Sequence, residues 1–185
     1  MDYINTVKEI LGDLSTPSLI LRVCKISDDL LNLFDYLKSR IEVIDECYKP
    51  VVEVVKTRKY FTYYGEPREN ELLPFLNSLS RIEKGYTELS EDEKAKAKQI
   101  SLNLKLFVTP TCTVCPIVAD YLYQLAQESE GLQLEVYDII EYDELQEKYR
   151  VYNVPKLVIN DKLSLPGGLP KEIILKTLIV NSLRR

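Results

Sequence analysis

The spacing of apolar residues along this chain switches repeatedly between strand-like and helix-like, and the switches mark out its elements. Short β-rich runs at 19–23, 51–55, 60–64, 104–108 and 157–159 read as strands, and 132–139 alternates apolar with polar as a half-buried strand should. Ile4, Val7, Ile10, Leu11 and Leu14 have helical spacing, which predicts a short amphipathic helix over 3–14. Ser27-Asp28-Asp29 is a strong helix start, and Leu30, Leu31, Leu33, Phe34 and Leu37 carry that helix to near Arg40. Leu72, Leu73, Leu76, Leu79 and Ile82 predict a helix over 69–82, weakened in its first turn by Pro74 and stopped by Gly85. Ser90-Glu91-Asp92-Glu93 is a capping-box pattern opening a polar helix from Glu91 to about Leu102. Later helices follow from Pro116 to about Ser129, over 141–149, and from Lys171 to about Ser182. Asn160-Asp161 turns the chain into a last strand over 163–165.

The two halves repeat imperfectly. Each has a strand, a cysteine at a helix start, a proline followed by a hairpin, a Gly-x-Pro and a closing helix. Cys24 pairs with Cys112, Pro50 with Pro155, and Gly65-Glu66-Pro67 with Gly168-Leu169-Pro170, which points to a duplicated unit. The polar helix after Ser90 is the natural connector.

The strongest chemical signal is Cys112-Thr113-Val114-Cys115-Pro116, placed between an apolar strand and a helical segment. A thiolate is the attacking species in disulfide exchange, and the free N–H groups of a helix N-terminus favour it. Residues at i and i+3 share a helix face, so Cys115 can close a disulfide with Cys112. Pro116 early in the helix costs little, because its missing N–H has no partner there. Cys112, nearest the helix N-terminus, is expected to attack, and Cys115, buried one turn in, to resolve the mixed disulfide.

Composition narrows the field. The 185 residues hold enough apolar content for a real core, as one large domain or two small ones. A net charge of -5 without a basic cluster argues against nucleic acid as a partner. No apolar run approaches membrane-spanning length and the first residues do not read as a signal peptide, so a cytoplasmic location is expected. Histidine is absent, which removes Ser-His and Cys-His pairs and every His-containing zinc site. A zinc site made of cysteines alone would need Cys24 and Cys47 as well, and those lie in the other half without C-x-x-C spacing; no metal is expected. Scarce methionine, absent tryptophan and abundant Glu, Lys and Tyr lean towards a thermophile.

From 104 onwards the order strand, C-x-x-C, helix, strand, helix, Val-Pro, two strands, Gly-Gly, helix resembles the thioredoxin/glutaredoxin fold. The whole chain resembles the archaeal protein disulfide oxidoreductases, on residues 108–116, Val154-Pro155 and Gly168-Leu169-Pro170. The resemblance implies an α/β protein of two tandem thioredoxin-like units, the N-terminal one truncated and degenerate. The expected limits are a degenerate unit over 1–84, a connecting helix over 85–103 and an active unit over 104–185. It further implies that Val154-Pro155 is a cis-proline bond beside the Cys112–Cys115 redox disulfide. There, with Thr113 and Val114, it would leave backbone exposed for an extended substrate peptide. The implied activity is thiol–disulfide exchange on protein disulfides, with an electron donor such as a thioredoxin reductase. No cofactor is called for, because the two sulfurs carry the electrons. The first half would shape a substrate groove or a subunit contact, the latter making a homodimer. Two other readings stand beside it: a glutathione-dependent glutaredoxin-like reductase, and a non-catalytic thioredoxin-fold binding module.

Two departures from the pattern matter. Cys24 to Pro50 spans 26 positions and Cys112 to Pro155 spans 43, so the first half lacks about one helix and its loops. Its Cys24-Lys25-Ile26-Ser27 has serine in place of the second cysteine. That leaves a monothiol, a bond to Cys47, or a buried strand-end thiol in a worn repeat, the last being the expectation. Leu106 stands where thioredoxins carry a buried acid, so proton transfer must use water or another carboxylate.

Overall fold

The computed structural model describes residues 14–183 together with residues 5 and 7, so the helix expected over 3–14 falls almost wholly outside the described residues. In chain order the elements are β1 (Ile20–Cys24), α1 (Asp28–Tyr36), β2 (Arg40–Val43), β3 (Val51–Val55) and β4 (Lys59–Tyr64). A 3-10 turn (Glu69–Glu71), α2 (Leu72–Lys84) and α3 (Glu91–Ala97) lead to β5 (Ser101–Val108), α4 (Cys115–Glu128) and β6 (Gly131–Asp138). The chain ends with α5 (Glu144–Tyr149), β7 (Lys156–Ile159), β8 (Leu163–Pro166) and α6 (Lys171–Ser182).

The eight strands among the described residues form one sheet in the order β2-β1-β3-β4-β6-β5-β7-β8. The first four and the last four have the same internal pattern. A parallel pair linked through a helix (β1 with β2, β5 with β6) is followed by an antiparallel hairpin against the first strand of that pair. The halves join through the parallel pairing of β4 with β6, so the strand ends that carry Cys24 and lead to Cys112 point the same way. The structure is α/β with two thioredoxin-like units, the first lacking the helix that α5 supplies in the second.

Alternation decides what each face of the sheet meets. Leu21 and Val23, Val52 and Val54, Phe61 and Tyr63, Leu104 and Leu106, and Leu134 and Val136 point into one core. Leu33 and Phe34 of α1, Phe75 and Leu79 of α2, Leu122 and Leu125 of α4 and Leu178 of α6 close it from the other side. Buried Arg81 ties the units within this layer, reaching Asp120 at 2.7 Å and Glu88 at 3.2 Å.

The opposite face is divided. Over the second unit it carries Phe107, Tyr137, Ile139, Val151 and Val158, covered by Tyr142, Leu145 and Tyr149. Over the first unit a charged row takes the place of a helix. Arg22 pairs with Glu42 at 3.0 Å and approaches Glu53 at 3.9 Å, and Lys59 meets Glu53 at 3.2 Å. A sheet face left without apolar cover is stable in water only when its side chains are themselves solvated.

Several boundaries differ from expectation for local reasons. Helix α1 stops at Tyr36 because Lys38 turns to φ 60°, and residues from Arg40, given no element by the sequence, form β2. The polar helix opens as expected, with both capping-box hydrogen bonds at Ser90 and Glu93, but ends at Ala97. Ser101, Leu102 and Asn103 instead extend β5, where Leu102 continues the inward series. Gly85 caps α2 at φ 72°.

Candidate active site

Strand β5 ends at Val108, and residues 109–114 turn the chain into α4, whose first residue is Cys115. Cys112 precedes the helix, not sharing its first turn, and is disulfide-bonded to Cys115. Its sulfur also accepts the Cys115 N–H at 3.1 Å, one of the donors a helix start leaves free. Cys112 is half-buried whereas Cys115 is fully buried, so an incoming sulfur reaches Cys112 first. Thr113 and Val114 project outward beside it.

The peptide bond Val154–Pro155 is cis. Pairing of Phe107 with Lys156 puts Pro155 at the end of the sheet from which the cysteine loop leaves. Val154 is half-buried and packs against both cores, and Pro155 is buried. Gly167 explains the close packing beyond it. It donates its N–H to the Pro155 carbonyl at 2.8 Å, and a Cβ at residue 167 would lie 2.7 Å from the proline ring. The same bond recurs in the first unit, from Gly65 N–H to the Pro50 carbonyl at 2.7 Å. The repeat therefore matches Gly65 to Gly167, one residue from the sequence pairing.

The first unit contributes a buried acid of its own next to a residue that touches the cysteine loop. Glu71, in the 3-10 turn before α2, is fully buried, and neither carboxylate oxygen has a hydrogen-bond partner. Its neighbour Asn70 docks on the cysteine loop, with its main-chain N–H on the Pro110 carbonyl and its side-chain amide on the Cys112 carbonyl, both at 3.2 Å. Burial, reinforced by the like charge of Asp138, pushes the Glu71 carboxyl up to about 8. Asp138, at the end of β6 and also buried, is raised chiefly by burial. The Ile140 N–H at 3.0 Å and Arg68 at 3.6 Å pull it back. A Cβ on Gly65, at φ 122°, would sit 2.8 Å from the Cβ of Asp138, so that glycine makes room for the acid. Tyr63 and Tyr123 complete this pocket with unpartnered hydroxyls, their phenols raised by burial and then by Glu71.

The corresponding place in the first unit is arranged differently. Ser27 caps α1, and the Glu66 carboxylate accepts both its N–H and its hydroxyl, so a carboxylate already occupies that helix start. The expectation of a vestigial free thiol at Cys24 is overturned: Cys24 is disulfide-bonded to Cys47. With the helix absent, residues 44–50 fold back across the end of β1 and bring the two Cα atoms to 6.3 Å. Among the described residues no group of three or more His, Cys, Asp or Glu is placed to hold a metal ion.

One sheet built twice, with a C-x-x-C disulfide at the second strand-to-helix turn and a cis-proline beside it, defines the thioredoxin-fold thiol–disulfide oxidoreductases. The chain belongs to the thioredoxin-like family. The family model described as a thioredoxin-like domain matches residues 2–85, and that of a thioredoxin domain matches residues 102–180. A probable thioredoxin of Archaeoglobus fulgidus is 39% identical over 79 residues, which are 41% of this chain and 84% of the relative. Among solved structures, Sso1120 from Sulfolobus solfataricus is 44% identical with a TM-score of 0.78, over 89% of this chain and 99% of that one. A protein disulfide oxidoreductase from Aeropyrum pernix shares the fold at 19% identity and a TM-score of 0.80, over 100% of this chain and 94% of that one.

Proposed function

We propose that this thiol–disulfide oxidoreductase acts on disulfides of protein clients through Cys112 and Cys115. The observation that carries the reading is the asymmetry of the pair: a reachable sulfur held by a helix N–H, and a second sulfur fully buried behind it. In the reductive direction the Cys112 thiolate attacks a client disulfide and one client sulfur leaves. Cys115 then attacks the mixed disulfide at Cys112, releasing the second client sulfur and restoring the Cys112–Cys115 bond. The client gains two electrons and two protons.

Cys115 must lose its proton to attack, inside the core. Glu71 is the acceptor in this reading: a carboxyl poised near 8 is mostly neutral at neutral pH, and its ionised fraction takes the proton. Burial, reinforced by the charge of Asp138, keeps Glu71 there. Thr113, Val114, Val154 and Pro155 form the surface on which an extended client segment lies. The Gly167 N–H is already donated to the Pro155 carbonyl at 2.8 Å, so it is not free to bind a ligand. We place the protein in the cytoplasm, with a reductase of the thioredoxin reductase kind as electron donor, and assign the first unit to client contact or a homodimer interface. Among the described residues no helix is long and apolar enough to cross a membrane.

The test is reduction of a disulfide-bonded model protein, with a dithiol as electron source. Wild type should accelerate it and Cys112→Ser should not. Equal rates with and without wild-type protein would overturn the reading.

A further inference from the structure

We infer that Cys24–Cys47 is a second thiol–disulfide exchange site, opened by a dithiol, and that it governs the segment leading to Val154. The two sulfurs are unequally placed: Cys24 ends β1 with 5% of its surface exposed, and Cys47 lies half-buried in the loop after β2. The incoming thiolate therefore attacks Cys47. A mixed disulfide forms there, the Cys24–Cys47 bond breaks, and Cys24 leaves as a thiolate that takes up a proton. The second thiol of the reductant then attacks its own sulfur in the mixed disulfide and releases Cys47. Two electrons and two protons pass to the pair, and the dithiol becomes a disulfide. Lys25 holds its ammonium 3.1 Å from the Tyr48 carbonyl, next to Cys47, where positive charge favours the departing thiolates.

The loop this bond anchors is also the loop that crosses to the second unit. Lys49 reaches Asp143 at 3.2 Å and Glu144 at 2.5 Å, and its ammonium stands 5.4 Å from the Tyr142 ring centre. The Tyr142 hydroxyl donates to the Pro50 carbonyl at 3.0 Å. Tyr142 meets Tyr64 and Tyr137 edge-on, and those two rings stack at 4.3 Å. Val154 packs, as Tyr64 and Tyr142 do, on the wider apolar cluster that contains Tyr137. The bond and the loop stand where the second unit has a helix, so opening the bond frees residues 44–50 and removes the support beneath 139–145. The effect at Val154 bears on clients only through the reading given above.

The experiment uses the full chain carrying Cys112→Ser and Cys115→Ser, so that electrons enter at the other pair alone and the result does not depend on C-x-x-C chemistry. The folded protein is treated with dithiothreitol and alkylated for peptide mass analysis, and hydrogen exchange is followed with the bond closed and open. The expected result is alkylation at Cys24 and Cys47 without unfolding, with several-fold faster exchange over 139–154. Lys49→Ala, with the bond intact, should reproduce part of that acceleration. A bond that opens only once the chain is unfolded, or one that opens with no change over 139–154, would overturn the inference.

Discussion

Glu71→Gln tests the buried acid through stability, without any enzyme assay. A carboxyl raised from 4.5 to about 8 keeps a proton in the folded state that the unfolded chain has already released. The folded state thus binds more protons between those values, and stability falls as pH rises: it is fully present below about 4.5 and lost through about 8. Each tenfold change in proton affinity corresponds to about 1.4 kcal/mol. The full loss is then on the order of 5 kcal/mol, with about 3.5 kcal/mol of it between pH 5 and 8. Glutamine keeps the size and polarity and removes the titration. Urea unfolding of wild type and Glu71→Gln at several pH values and constant ionic strength gives the difference directly. Groups not coupled to Glu71 cancel, so the variant should gain on wild type steadily from pH 5 to 8. Parallel stability curves would mean that Glu71 titrates in its ordinary range and would remove it as the proton acceptor for Cys115.

Three other outcomes follow from local geometry. Gly167→Ala places a Cβ 2.7 Å from Pro155, so it should cost roughly 1–3 kcal/mol in thermal unfolding and depress client reduction. Gly65→Ala meets both a φ of 122° and the Asp138 side chain, and should lose about as much or more, measured by the same melts. Ser90→Ala removes one arm of the capping box on an exposed helix, and should cost about 1 kcal/mol in urea unfolding with activity unchanged.

The features legible in the sequence were those with local causes. Cys112 and Cys115 announce themselves by spacing, Gly85 and Ser90 by capping chemistry, and Val154-Pro155 by its place between a helix and a strand. Strand β2 escaped because Arg40-Ile41-Glu42-Val43 alternates over only four residues; parallel pairing with β1 makes it a strand. The Cys24–Cys47 bond escaped because it depends on how residues 44–50 fold back once a helix is missing. Glu71 and Asp138 are more instructive. Glu71 lies on the stripe of Phe75, Leu79 and Ile82, and Asp138 extends the inward series Leu132, Leu134, Val136. Each is an acid at a position whose period points into the core, and that mismatch is a readable signal. That the two come close enough for their charges to couple depends on tertiary structure alone.

The most direct test of the central claim is capture of the mixed disulfide. Cys115→Ser, reduced and then presented with a disulfide-bonded client, should accumulate a covalent adduct that a dithiol releases, with peptide mapping placing the link at Cys112. Cys112→Ser under the same conditions should give no adduct at the C-x-x-C pair. Absence of any adduct at Cys112, or an adduct at Cys115 of the Cys112→Ser variant in equal yield, would contradict the assignment of Cys112 as the attacking sulfur.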